Sequence, residues 1–588
     1  GASVYGSDAT GGVINIITRK GEGEAQGTLD VSAGSWNRYN YKFSYSGSLD
    51  ANRLKYFVSL SREMSGDGKY KDGLTGNNYR WLHSGYKDQA ANIRVDYDFD
   101  KNHTLYFAHN HVQGDDDYPH TAPDYRYINP TDWHRILTDW YNHRKRGEKE
   151  NPGFRNLRYG WGPTGAYNAY NKNNNDLTYV FHRDNGMESF VRVYNQNERY
   201  WGTSGAGDVD DPNIVPNTPA WDEWAKKNHK GRDKKSYFTQ LKNRGLQIQY
   251  GKAIGKHDLL TTWTYDKSRY YDTHVRKKTT SSVERESVLG YIQDKIHITD
   301  KWEVTPALRY SYYSDFAKVS KAGVHANAGK SVSVITPSIV TQFSFDDTAS
   351  IYAGWTKVYR PIRVGDYHLT NTDYSSGNKV DAKLEDEKGD VVTLGVRKDF
   401  GSKTSAAIHY DWTDMKNAIA RYSVWDKNIH DFKMKYVNAT EKKSSINVTM
   451  KHKFNDHWSF SFNYSHAKDK WSAKNGMIFD PDLAGLKGNV NSAINKLRPQ
   501  NTYTGVLTYE SDKWDASLLC NYYTGLNREA YTDNRFLVFD LSGNYKVNEA
   551  LSVFGTITNL TNESWENTYT AYLGMGAWPQ PGRAFMLG

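Results

Sequence analysis

Along most of the chain, apolar and polar residues alternate singly instead of recurring at helical spacing. Trp458, Phe460, Phe462 and Tyr464 occupy every second position, with Ser459, Ser461, Asn463 and Ser465 between them. Only an extended strand sends such neighbours to opposite faces, because its side chains alternate with period two. The same alternation sets Val95, Tyr97 and Phe99 against Arg94, Asp96 and Asp98, and Leu246, Ile248 and Tyr250 against Gln247 and Gln249. It returns at Val191 and Val193 around Arg192, and at Leu551, Val553, Gly555 and Ile557. The pattern predicts strands from about residue 27 to the C-terminal end.

Polar hinges separate these strands. Asp98 to His103, Asp300-Lys301-Trp302, Asp346-Asp347, Asn455 to Trp458 and Ser511 to Trp514 are short and rich in Asp, Asn and Ser, whose side chains bond locally to backbone in tight reversals. Several lead directly into an aromatic ring, as expected where a strand re-enters a membrane interface. The intervening connections at the other strand ends are long. Residues 111–175 and 200–236 carry prolines and tryptophans without sustained alternation and are expected to be loops. Short turns at one end and long loops at the other predict an all-β protein, a large antiparallel transmembrane β-barrel. Sharing residues 21–588 among roughly 22 strands leaves about 26 positions for each strand with its connection.

Composition narrows the reading. The 588 residues are 37% hydrophobic and 14% aromatic, with mean hydropathy −0.82. No run approaches the length of an apolar membrane helix, whereas barrel strands need only alternate apolar residues. The net charge of +9 is dispersed, which gives no nucleic-acid groove. One cysteine, Cys520, excludes a disulfide framework and a multi-cysteine metal site. No phosphate-binding loop, His-Glu-x-x-His helix or nucleophile elbow is present, so the expectation is a non-enzyme.

The opening segment is different in kind. Tyr5-Gly6-Ser7-Asp8-Ala9-Thr10-Gly11-Gly12-Val13-Ile14-Asn15-Ile16-Ile17-Thr18-Arg19-Lys20 resembles the end of the plug domain of TonB-dependent outer-membrane receptors, where the last plug strand passes into the barrel. Asn559-Leu560-Thr561-Asn562 and Pro581-Gly582-Arg583 resemble the family's closing signatures. Tyr359-Arg360-Pro361 resembles its aromatic-Arg-Ala-Pro element without the alanine, and Leu384-Glu385-Asp386-Glu387 resembles a second element without its proline. Val437-Asn438-Ala439 lacks the glycine usual after it. The resemblance implies residues 1–20 as the end of a plug and residues 21–588 as the barrel, in the bacterial outer membrane. The rest of the plug is expected to be missing from this chain or supplied separately.

What the resemblance implies for function is gated import of an iron chelate, a ferric siderophore or haem, driven by the TonB-ExbB-ExbD system. A passive porin-like channel or a surface adhesin is the alternative. Outer-membrane lipid and lipopolysaccharide, and a possible surface lipoprotein, are the other expected partners. Haem or ferric chelate would be cargo, with no permanent cofactor. His109 and His111 share one strand face and, with His120, are candidate metal or haem contacts in a receptor mouth. His368 joins them because haem importers of the family often place an axial histidine between the two central elements. Tyr118, Trp133, Trp140, Tyr141 and Arg144 are candidate ligand contacts, since rings and guanidinium suit a flat anionic chelate.

Overall fold

The computed structural model describes residues 19–73, 76–81, 84–117, 167–183, 187–203, 223, 237–274, 279–318, 331–362, 385–426, 431–473, 499–526, 533–569 and 577–588. Among them the main sheet holds 23 strands. One is the fragment Ala317–Lys318, paired with Thr279–Thr299. The other 22 follow one another antiparallel around a ring. The ring closes where Gln26–Gly34 meets Ala584–Leu587, with Ala33 opposite Leu587 and Gly34 opposite Met586. Closure leaves backbone groups paired along the circumference, which a membrane requires of a sheet.

The polar hinges are the short turns, and their side chains explain why. Asp100 Oδ1 accepts from the amides of Asn102 and His103 at 2.8 and 2.9 Å. Asn455 Oδ1 does the same for His457 and Trp458, both at 2.9 Å. Ser511 Oγ accepts from Trp514 N at 3.0 Å. Each side chain replaces a backbone acceptor, so the reversal completes within a few residues. Trp302, Trp458 and Trp514 then stand exposed on the outer face just above this base.

Apolar positions of the alternating segments point outward. Leu394, Ile408 and Ile335 are 46%, 54% and 63% exposed, values that would be costly in water and are natural against lipid chains. The polar partners point into the lumen. Where inward or outward rings are large, a glycine stands directly opposite: Tyr170 faces Gly114, Tyr194 faces Gly245 and Trp263 faces Gly290. A Cβ on any of these glycines would strike the ring.

The strands outrun the sequence expectation at the other end, the rim. Residues 111–175 were expected as loop, yet His103–Asp117 and Tyr167–His182 remain paired up to Asp117 opposite Tyr167. The strand Glu188–Thr203 likewise continues past residue 200. The reason is solvent. Above the apolar belt both faces are wet, as at Asn171-Lys172-Asn173-Asn174-Asn175, and the alternation that reveals a strand disappears.

Candidate functional site

Three sets of groups organise the lumen and rim. Near the base, a polar recess of about 920 Å³ lies against Lys20, where the described chain enters. Arg94 holds Asp96 with two bonds, at 2.8 and 2.7 Å, and its guanidinium lies 4.3 Å from the Tyr106 ring centre. Lys55 Nζ sits 2.7 Å from Asp98, and Arg192 pairs with Asp176. This wall carries both charge signs.

Higher on the lumen wall, above the apolar belt, rings and charges converge. Tyr170 donates its hydroxyl to Asp88, and Gly114 opposite leaves room for that ring. Lys172 Nζ lies 5.3 Å from the Tyr170 ring centre and 5.1 Å from that of Tyr200. Tyr200 in turn donates to Glu198 at 3.1 Å. Asp116 lies beside Asp88. Burial, reinforced by the charges of Asp88, Asp115 and Asp117, pushes its carboxyl up to about 6. The arrangement offers an ammonium set over two rings and a carboxylate whose charge turns on in the mildly acidic range.

The third set resolves the recognised motifs into joinery. Tyr359 bonds Asp386, and the Ile362 amide donates to Asp386 Oδ1 at 3.0 Å. Arg360 pairs with buried Glu387, whose Oε1 also accepts from Ile419 N at 2.6 Å. Asn438 donates to the carbonyls of Glu385 and Asn417, each at 2.7 Å, while accepting from Glu385 N. Arg285 grips the carbonyls of Ile362 and Ser314 at 2.7 and 2.9 Å and lies 4.4 Å from the Phe316 ring centre. The two central elements and Val437-Asn438-Ala439 therefore form one clamp. At the barrel seam, Asn559 is 3% exposed and left-handed, with φ 50°. It accepts from Glu563 N and donates to the carbonyls of Glu563 and Pro581. Gly582 N donates to Lys69 O at 2.7 Å, and Asn562 reaches Asn78 at 3.0 Å, so the closing motif ties the last segment to the first hairpin of the rim.

The histidine expectation is only partly placed. His109 and His111 do share a face, but it is the outer one, continuing the row of exposed Phe107. Their Nδ1 atoms bond Asn175 and Asn173 at 2.8 and 2.7 Å, above the belt and away from the lumen. His120, His368, Tyr118, Trp133, Trp140, Tyr141 and Arg144 lie outside the described residues. No cluster of three or more His, Cys, Asp or Glu with metal-holding geometry occurs among the described residues. Sequence reasoning missed Lys172 and Tyr200, since both fall where alternation is lost, and missed Arg285, whose partners lie far away in sequence.

Comparison with known proteins gives these observations their frame. The family model "TonB dependent receptor-like, beta-barrel" matches residues 112–560. The metal-pseudopaline receptor CntO of Pseudomonas aeruginosa strain UCBPP-PA14 is 35% identical over 85 residues, which cover 14% of this chain and 12% of that receptor. The match thus spans about an eighth of that curated relative's length. Among solved structures, the ferric yersiniabactin uptake receptor FyuA of Yersinia pestis superposes with TM-score 0.67 at 14% identity, covering 100% of this chain and 83% of that one. The copper transporter OprC gives 0.66 at 14% identity, covering 97% and 83%. At such identities the structures establish the fold, and with the family model they place the barrel in the outer membrane: the chain belongs to the β-barrel family of TonB-dependent receptors.

Proposed function

We propose that the protein binds a metal chelate at its extracellular rim and imports it with TonB-coupled energy, the cargo being a ferric siderophore or a chelate of similar chemistry. The observation that carries this reading is the upper lumen wall, where Tyr170, Tyr200 and Lys172 stand together above the membrane belt. Rings and a cation recognise an anionic, ring-bearing chelate by stacking and charge, without a direct bond to its metal. Related proteins support the same class: a metal-pseudopaline receptor, a ferric yersiniabactin uptake receptor and a copper transporter. Haem is the less favoured cargo, because the paired histidines His109 and His111 face away from the lumen. The lower recess, with Arg94, Asp96, Lys55 and Asp98, offers a charged seat for a plug.

The test is uptake of radiolabelled ferric chelates and of haem by cells in which this protein is the sole receptor, with the inner-membrane energy system intact or disabled. Energy-dependent uptake of one chelate, reduced at least about tenfold by Lys172→Ala with Tyr200→Ala, is expected. Diffusive passage of many small solutes without energy would replace the proposal with a passive channel.

A further inference from the structure

Below the rings and charges of the upper lumen wall runs a level of the barrel built from uncharged amides and hydroxyls. Asn92, Asn110, Asn174, Gln196 and Asn243 stand directly opposite one another across five consecutive strands, Tyr86–Asp98, His103–Asp117, Tyr167–His182, Glu188–Thr203 and Tyr237–Ile254. Hydroxyls extend the row at both ends. Asn92 is opposite Ser59, Ser59 opposite Ser44 and Ser44 opposite Thr28, while Asn243 is opposite Ser268. The row ends at Arg285, which is opposite Ser268 and committed to the clamp. The amides face the lumen, because Arg94, Ala108, Asp176, Arg192 and Gln247, at even spacing from them on the same strands, line the recess of the base.

The levels on either side are charged. Two residues nearer the base stand Arg94, Asp176 and Asp266, and two nearer the rim stand Lys172 and Glu198. Those charges have partners, as where Arg192 pairs with Asp176 and Tyr194 donates to Asp266 at 2.8 Å. The row has hydrogen-bonding capacity to spare. Asn92 donates to Ser59 Oγ at 3.1 Å, Asn110 donates to Asn92, and Asn243 donates to Gln196 Oε1 at 3.3 Å. Asn174 Oδ1 and Asn243 Oδ1, on either side of Gln196, are enclosed and accept no hydrogen bond among the described residues. An enclosed acceptor without a donor costs its lost hydration, and a ligand N–H that reaches it removes that cost.

We propose that this row is a second contact for the cargo and selects chelates whose metal-binding groups are carried on a short peptide. The inference rests on the import reading above and names the cargo's chemistry within it. A carboxamide presents N–H and C=O side by side in one plane, the complement of a peptide group, whereas a sugar hydroxyl calls for no such pairing. An ionised ligand group is disfavoured at this level, since it would be desolvated without a counter-charge. With strands about 4.8 Å apart, the five amides span about 19 Å, the reach of about five or six extended residues. Lys172 with Tyr170 and Tyr200, two to four residues nearer the rim, takes the anionic, ring-bearing end of the same molecule.

The experiment titrates the purified full-length receptor, by quenching of its tryptophan fluorescence, with three ferric chelates that share the same catecholate groups. One carries them on a short peptide, one on an amide-free ether and one on a sugar. The native receptor is expected to bind the peptide-borne chelate at least about tenfold more tightly than the ether-borne one. Asn174→Ala with Gln196→Ala and Asn243→Ala is expected to abolish that preference. Asn174→Gln with Gln196→Asn and Asn243→Gln, which keeps the carboxamides, is expected to restore most of it and separates lost recognition from misfolding. Lys172→Ala with Tyr200→Ala is expected to weaken all three chelates and keep the ratio. Equal affinity of the native receptor for the peptide-borne and ether-borne chelates, or a preference that survives the three alanines, overturns the inference and leaves the import reading standing. So does tightest binding of the sugar-borne chelate, or an equal loss for every chelate in the alanine variant, which would assign the row to holding the barrel together. Binding of none of the three, with no energy-dependent uptake, removes the import reading and the inference with it.

Discussion

The belt and the rim of this barrel are built from the same strands by different rules. In the belt, Val95, Phe107, Leu177 and Val193 form one outward row across four strands, while Arg94, Tyr106, Asp176 and Arg192 line the inside. Two residues higher, the outward row reads Ile93, His109, Asn175 and Asn195, so three of its four positions are polar. The strand pairing is unchanged, and the solvent outside has changed from lipid to water. The comparison teaches that in the belt the outward residues are fixed by the bilayer, whereas in the rim stability rests on specific polar joints. Those joints are the clamp around Glu387 and Asn438 and the knot around Asn559.

The sharpest way to break this comparison is at the clamp. Glu387 is buried against Arg360 and the Ile419 amide, so Glu387→Ala removes the acceptor of a buried amide and the partner of a half-buried guanidinium, a local cost of about 3 kcal/mol. Hydrogen exchange at Ile419 is expected to accelerate while exchange in belt strands is unchanged. In the belt, Ile408→Lys places a charge against acyl chains and is expected to cost about 2 to 4 kcal/mol near the midplane. The same charge at the rim, Gln113→Lys, is expected to change stability by no more than about 0.5 kcal/mol. Equilibrium unfolding in lipid vesicles compares the two.

At the seam, Asn559→Ala removes three side-chain hydrogen bonds and puts alanine into a left-handed conformation, a loss of about 2 kcal/mol. Protease cleavage within residues 559–583 is the readout, and cleavage unchanged from the native protein would show that the knot does not hold the segment.

A smaller effect comes from Asp116. Its ordinary value is 3.8, and in the folded barrel it rises to about 6 through burial and the neighbouring carboxylates. The folded state therefore keeps this proton after the unfolded chain has released it, so the group's contribution falls as pH rises from about 4 to about 6 and is level beyond. Asp116→Asn is expected to flatten the dependence of thermal unfolding on pH across that window. Smallest of all is the effect of His109→Ala with His111→Ala. These outward imidazoles hydrogen-bond Asn175 and Asn173, and chelate uptake is expected to stay within about twofold of the native level.

The belt was legible in the sequence because lipid imposes period two on every strand, as at Trp458 to Tyr464. The turns were legible for an equally local reason, the Asp, Asn and Ser acceptors that close them. The rim was less so. Asn171 to Asn175 continue a paired strand, yet with water on both sides nothing in the order of residue types distinguishes that strand from a loop. Tyr359-Arg360-Pro361 and Leu384-Glu385-Asp386-Glu387 were visible as motifs, but their joint attachment to Asn438 and Arg285 depends on contacts between distant segments. The facing of His109 and His111 followed from register: period two says that they share a face, and only pairing to Phe107's row says which.

The central claim is that one continuous strand passes from a lipid-facing environment to a water-facing one between Phe107 and His109. Its most direct test is a spin-label scan of residues 105–115, one cysteine at a time in a Cys520→Ser background, in lipid vesicles, measuring collision with oxygen and with a water-soluble nickel chelate. The account predicts oxygen access at 105 and 107, and nickel access at 109, 111 and 113. Oxygen access continuing with period two through 113 would contradict it, placing the imidazoles inside the bilayer and the boundary of the rim above them.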